Sequence, residues 1–391
     1  MQTSNRLNAN ADIRYVDSFE SLQQTCAELA TCDWIAVDTE FLREKTYYPK
    51  LCLVQIATPE VVACIDPLAI DDLTPLFELL YNDRITKVMH AARQDMEIFY
   101  HLRGTLPAPV FDTQIAALLL GYADQIGYGN LVKEVLGISL DKLHTRADWS
   151  LRPLSAEQIR YAADDVVYLV QVYQQMIGKL TTRGRLDWLT EDFENLTRAE
   201  LYSNPPAEAW LRVRAANRLK GPALAVLQAL AGWREQLAQD RDRPRGWLLR
   251  DDILIEIARH LPKSPAALGK IRGLPERTLQ KHGTQLLALV AEAREQVPQP
   301  LPKTGTRLRL GPSQEALVDV MMAVVRLSGA ENELNPAVLA TRKQLEQLVT
   351  GDTDIDALHG WRRQLVGERL QSLLDGRLTV AVVDGRPMIK P

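Results

Sequence analysis

No run of about eighteen consecutive apolar residues occurs in this 391-residue chain, which excludes an ordinary membrane-spanning helix. The opening MQTSNRLNANAD is polar and holds no apolar signal-peptide core, so a cytoplasmic protein is expected. The pattern GxxxxGK(S/T) is absent, and with it the loop that cradles nucleotide phosphates, so no ATP requirement is expected. Cysteine is scarce: Cys26, Cys32, Cys52 and Cys64 are the only four, with neither CxxC pairs nor histidines at zinc-finger spacing. They read as buried free thiols in a reducing compartment. Sustained apolar heptads are missing as well, so nothing argues for coiled-coil assembly and a monomer is expected.

What is present is an ordinary globular composition, 46% apolar and 25% charged, in a chain long enough for two or three domains. The net charge of -4 hides an asymmetry. Residues 1–200 hold 18 Lys and Arg against 29 Asp and Glu, whereas residues 201–391 hold 28 against 21. An acidic, metal-dependent active site joined to modules that bind a polyanion has this distribution.

The stretch WIAVDTEF, residues 34–41, is a strand-like apolar run interrupted by two carboxylates. Alternation along a strand projects Asp38 and Glu40 to one face, with Val37 and Thr39 on the other. A buried carboxylate without compensation costs several kcal/mol or becomes neutral, so a cation is the expected compensation. Hard oxygen donors suit Mg²⁺ or Mn²⁺.

Around this stretch the pattern alternates. A strand and an amphipathic helix are expected over 15–30 with Ser18 as N-cap, then antiparallel strands over 51–58 and 61–67. A helix follows at 73–81, a strand at 85–90, a helix at 91–102 with Asp95 near its start, a strand at 109–113 and a helix at 114–121. Ser155 and Gln158 form a capping box that opens a long helix running to about Lys179. Within it Tyr161 and Asp165, four apart, share a face, while Asp164 lies roughly 100° around the helix. The fold class is α/β, a mixed sheet flanked by helices.

Asp95 alone suits a helix start, and Tyr161 alone suits a packed surface helix. Taken with Asp38, Glu40 and Asp165 they suggest four carboxylates at one point, whose repulsion divalent cations offset. Two metals about 4 Å apart can clamp the attacking and leaving oxygens of a phosphodiester, and a tyrosine can orient the water.

DTEF, HAARQDMEIF and YAADD, in this order and at these separations, resemble the motifs of the DEDD exonuclease superfamily. The tyrosine four residues before the last aspartate marks the DEDDy branch, and the whole chain resembles the bacterial ribonuclease D family, whose sheet is of the ribonuclease H-like kind. The resemblance implies that Asp38 bridges two metals, that Glu40 and Asp165 complete the site of the water-activating metal, and that Asp95 supports the second. Tyr161 would position the nucleophile, Glu40 would accept a hydrogen bond from the terminal 3′ hydroxyl, and Phe41 would border the last base.

The second half reads as helical throughout, in two units separated by the proline-rich stretch VPQPLPKTG. WREQLAQDRDRPRGWLL in the first unit resembles the HRDC domains shared with RecQ-type helicases, and the second unit is a more divergent relative. The missing phosphate loop excludes a helicase. Arg241, Arg243 and Arg245 beside Trp247 are candidates for pairing with phosphate and stacking on a base, or for a solvated loop over a core tryptophan.

The expected organisation is an exonuclease domain over 1–203, an HRDC domain over 204–297, a linker over 298–310 and an HRDC-like domain over 311–391. The expected activity is metal-dependent 3′-to-5′ hydrolysis of RNA with a free 3′ end, releasing nucleoside 5′-monophosphates. The resemblance makes tRNA precursors the leading substrates. Two alternatives stand beside it: a DNA-directed or general exonuclease, and an RNA-binding scaffold with a vestigial site.

Overall fold

In a computed structural model, residues 12–140, 147–301 and 310–390 are described; the expected linker falls largely on 302–309, outside them. The chain forms two compact units. One comprises residues up to 40, 52–198 and 307 onward; the other comprises 41–51 and 199–306.

The first unit is built on a six-stranded sheet. Its elements are β1 (Ile13–Val16), α1 (Phe19–Leu29), β2 (Trp34–Leu42), β3 (Lys50–Ala57), β4 (Val62–Ile65), α2 (Thr74–Leu80), β5 (Thr86–Met89), α3 (Arg93–Arg103), β6 (Val110–Asp112), α4 (Thr113–Leu118), α5 (Tyr128–Leu136), α6 (Ala156–Thr182) and α7 (Thr190–Leu196). Strand order is β1-β4-β3-β2-β5-β6, so β2 sits inside the sheet. β1 runs parallel to β4, β4 antiparallel to β3, and β2, β5 and β6 are mutually parallel neighbours, with Ala36 opposite Val88 and Val88 opposite Phe111.

Near-continuous apolar runs make these strands buried on both faces: Ile35, Ala36 and Val37 are at most 1% exposed, as are Leu53, Val54 and Ile56. Removing each of the larger side chains, Ile35, Val37, Leu53, Val54 and Ile56, from water stabilises the fold by about 1.5–3 kcal/mol. Ser18 and Ser155 cap α1 and α6, each through a reciprocal capping box. α6 packs across β4, β5 and β1 and buries Val166, Val170, Tyr173 and Met176. That packing fixes which of its residues can reach β2.

Residues 310–390 fold into this same unit. The helix Pro312–Glu331 is the longest of theirs, and the loop after it meets the sheet-bearing part: Asn335 donates from its backbone to the Leu118 carbonyl at 3.1 Å and from its side chain to the Tyr122 carbonyl at 2.8 Å. Trp188 and Trp361 stack with ring centroids 4.4 Å apart and planes 7° from parallel. The expectation of helix throughout fails at the end of the chain. Thr379–Val383 and Arg386–Lys390 pair as an antiparallel hairpin, β7 and β8, around Asp384 and Gly385, whose φ values of 49° and 74° are those of a tight hairpin turn.

The second unit is helical apart from the strand ends it takes in. α8 (Gly221–Asp240) packs with Asp251–His260 and Glu276–Ala293 around Trp210, Leu227, Leu230, Leu254 and Leu286. The buried guanidinium of Arg234 donates to the Leu249 carbonyl at 2.8 Å and to Asp251 at 2.7 Å. Residues 41–51 belong to this unit.

Candidate active site

β2 presents Asp38 and Glu40 half-buried on one face, with Val37 and Thr39 buried between them in the alternation. α6 lays its first turns over the same face. One carboxylate oxygen from each of Asp38, Glu40 and Asp165 lies within 4.8 Å of the others. The helical phase selects Asp165 rather than Asp164 for this cluster.

Asp95 arrives from the first turn of α3, 7% exposed, and accepts a hydrogen bond from the hydroxyl of Thr39. It lies outside the group of three but close enough for its charge to raise Glu40 and for Asp38 to raise it in turn. The turn before α3 is pinned by Asp112, which accepts from the backbone N–H groups of Ala91 at 3.0 Å, Ala92 at 2.9 Å and Gln114 at 2.7 Å. Ala91 sits at φ 53°, a left-handed conformation that costs a non-glycine residue about 1–3 kcal/mol and is sustained here by those bonds.

Tyr161 lies on α6 and stacks near Trp149, with ring centroids 6.2 Å apart. It lines a cleft of about 1020 Å³ together with Asp38, Asp165, Tyr128, Lys133 and Arg160. Tyr128, which the sequence reading passed over, donates its hydroxyl to the Asp165 carbonyl at 2.5 Å and lies 3.3 Å from that of Asp164. It thereby holds the turn of α6 from which Asp165 projects. Its helix was legible: YGNLVKEVL has apolar residues at helical spacing and ends at Gly137, whose φ of 75° is the left-handed C-cap.

The electrostatics follow from crowding. Burial and then Asp165 push the Asp38 carboxyl far above its ordinary range. Burial, then Asp38, Asp165 and Asp95, raise Glu40 to about 9. Burial and then Asp164 raise Asp165 to about 7, and burial and then Asp38 raise Asp95. Among the described residues, none of these four carboxylates forms an ion pair with Lys, Arg or His. Hard oxygen donors without a protein counter-charge fit a divalent cation.

Phe41 follows Glu40 on β2 and is half-buried. Of the three candidate arginines in the second unit, Arg241 is exposed, Arg243 donates to the Lys45 carbonyl at 3.4 Å, and Arg245 pairs with Glu235 at 3.3 Å. Trp247 is 61% exposed and therefore not a core residue.

The family described as 3′-5′ exonuclease matches residues 13–181, and the HRDC domain matches residues 223–290. The curated ribonuclease D of Nitrobacter hamburgensis is 42% identical over 368 residues, covering 93% of this chain and 96% of that one. The chain belongs to the ribonuclease D family. Ribonuclease D of Sphingobium indicum is likewise 42% identical, covering 94% of this chain and 96% of its own. The crystal structure of Escherichia coli RNase D, described as an exoribonuclease involved in structured RNA processing, matches with a TM-score of 0.80 and 32% identity over 93% of this chain and 99% of that one. As a member of this family the protein is a 3′-5′ exoribonuclease with a mixed-sheet nuclease fold and a helical C-terminal region that includes an HRDC domain. Its exonuclease family is metal-dependent and its ligand is nucleic acid. No helix among the described residues is long and apolar enough to cross a membrane.

Proposed function

We propose that the cluster on β2 and α6 removes nucleotides one at a time from RNA 3′ ends, with tRNA precursors as leading substrates and two divalent cations, Mg²⁺ or Mn²⁺, as cofactors. The observation that carries this reading is the approach of the Asp38, Glu40 and Asp165 oxygens to within 4.8 Å beside Tyr161. Asp38, Glu40 and Asp165 would hold the ions, and Asp95, oriented by Thr39, would support the second. Bound there, the cations would neutralise the developing phosphorane charge and acidify the attacking water.

The chain's own residues do the rest. Tyr161 orients the water for in-line attack on phosphorus; the P–O3′ bond breaks and a nucleoside 5′-monophosphate leaves, with the proton passing from the water to the departing oxygen. Glu40 accepts from the terminal 3′ hydroxyl, and Phe41 borders the last base. Arg241, Arg243 and Arg245 contact RNA further from the end. Recognition of a free end rather than of base edges makes the cut directional without reading sequence.

In this reading the catalytic domain spans 1–203, a helical HRDC module spans 204–297, a second module that ends in the β7–β8 hairpin spans 311–391, and the protein acts as a cytoplasmic monomer. The structured-RNA role of the Escherichia coli relative supports tRNA precursors as the substrate class.

The test uses 5′-labelled single-stranded RNA and its DNA counterpart with Mg²⁺, Mn²⁺ or chelator. A ladder shortening from the 3′ end of RNA, lost with chelator and with Asp38→Asn, supports the assignment. Equal loss of DNA makes the protein a general exonuclease, and no metal-dependent product makes it a binding protein.

A further inference from the structure

Residues 41–51 begin where the catalytic part of β2 ends. Glu40 is followed without a break by Phe41 and Leu42 of the same strand, and the chain then turns through residues 43–49 to β3. That turn is fastened to the C-terminal half of α8 and the residues just after it by several polar contacts. Asp242 accepts from two successive backbone N–H groups, Tyr47 at 2.9 Å and Tyr48 at 3.0 Å. The Tyr47 hydroxyl donates to Glu235 and accepts from the Gln239 amide at 3.3 Å. Arg243 donates to the Lys45 carbonyl.

Glu235 is 0% exposed, and its charge is matched by Arg212 at 3.0 Å and Arg245 at 3.3 Å. A buried carboxylate retained with two guanidinium partners and a phenol is costly to disrupt, so it fixes one geometry for whatever it holds. What it holds is the turn directly after Glu40 and Phe41. We propose that α8 is a brace for the β2–β3 turn, in which Glu235 and Asp242 are positioning residues that fix the end of β2, and hence Glu40 and Phe41, for the last nucleotide. The proposal rests on the exoribonuclease reading, and it assigns to the HRDC-bearing unit a part in turnover separate from RNA capture.

Asp242 permits a clean test. It follows α8 at φ 46°, the left-handed position that glycine and asparagine also occupy at helix ends, so Asp242→Gly and Asp242→Asn both leave that turn intact. Asparagine keeps an oxygen acceptor for Tyr47 and Tyr48; glycine does not. On a single-stranded RNA with a free 3′ end, Asp242→Gly is expected to lower kcat about tenfold or more, the scale on which residues that orient a site act. Asp242→Asn is expected to stay within about twofold of wild type. Hydrogen exchange at the Tyr47 and Tyr48 amides should be slow in wild type and Asp242→Asn and fast in Asp242→Gly. RNA affinity should hold or tighten in Asp242→Gly, because an acid is removed beside Arg241 and Arg243.

Wild-type kcat in Asp242→Gly, or unprotected amides in wild type, overturns the brace, as does a loss confined to RNA affinity. Tyr47→Phe is the second probe, and it should reproduce part of the kcat loss with no change at Asp242. A wild-type protein without metal-dependent RNA turnover overturns the exoribonuclease reading instead, and exchange at Tyr47 and Tyr48 then decides the brace alone.

Discussion

At the scale of single residues the site is held together against its own charge. Asp38, Glu40, Asp95 and Asp165 all have carboxyls raised first by burial and then by neighbouring carboxylates, which for Asp165 means Asp164. A raised folded-state value means that the protonated form favours the fold, so this stabilisation is complete below the unfolded value near 4 and is lost as pH rises through about 7 for Asp165 and about 9 for Glu40. The chelated protein should therefore melt at progressively lower temperature from pH 5.5 to 9.5, while excess Mg²⁺ should offset most of that fall; a chelated Tm that is flat across this range would contradict it. The same repulsion makes Asp95→Asn informative. Its amide oxygen can still accept from Thr39, so the substitution should abolish turnover, by about 10²-fold or more, yet raise the chelated Tm by roughly 2–4 °C, the shift expected for about 1 kcal/mol. A lower or unchanged Tm, read by differential scanning fluorimetry, would show that Asp95 is not strained by its neighbours.

At the scale of elements, α6 does two things at once: it seats in the sheet's hydrophobic face and aims Tyr161 and Asp165 at β2. Its start was legible because a capping box is a local pattern, and the phase that separates Asp165 from Asp164 follows from 3.6 residues per turn once Tyr161 is placed. β2 was legible because charge inside an apolar run is rare. Tyr128 was not legible, because nothing in YGNLVKEVL signals that its hydroxyl reaches a carbonyl 37 residues later; that contact exists only after α5 packs on α6. The closing hairpin carried its signal openly, as Asp384-Gly385 between TVAVV and RPMIK, but the helical pattern before it dominated the reading. Tyr128→Phe tests the packed contact. It removes one hydroxyl from the wall of the cleft, and it should lower kcat about 10-fold to 100-fold with little change in RNA affinity. Single-turnover kinetics would separate these, and an unchanged kcat would make Tyr128 a packing residue only.

At the scale of the whole molecule the charge follows the units more closely than the halves. Residues 41–51 and 199–306 hold 20 Lys and Arg against 12 Asp and Glu, and the remainder holds 26 against 38. The basic character thus belongs to the unit that carries α8 and the exposed Trp247, not to residues 310–390. This changes how that unit's part in RNA binding should be tested. Deleting everything after about residue 204 would also remove 310–390, which supply Asn335 to the Leu118 and Tyr122 carbonyls and Trp361 to Trp188; loss of activity would then report a damaged nuclease unit. Point changes avoid this. Arg241→Gln should make the slope of log K against log salt shallower by about 0.7 if it neutralises one phosphate of a single strand, whereas Trp247→Ala should weaken binding by about 1–3 kcal/mol at every salt concentration if it stacks on a base. Fluorescence anisotropy with a hairpin RNA bearing a single-stranded 3′ tail reads both, and hydrolysis of a short oligomer should survive each change. Unaltered affinity and slope in the two variants would leave the positive charge of this unit as a solvated surface, and the exposed tryptophan without a nucleic-acid role.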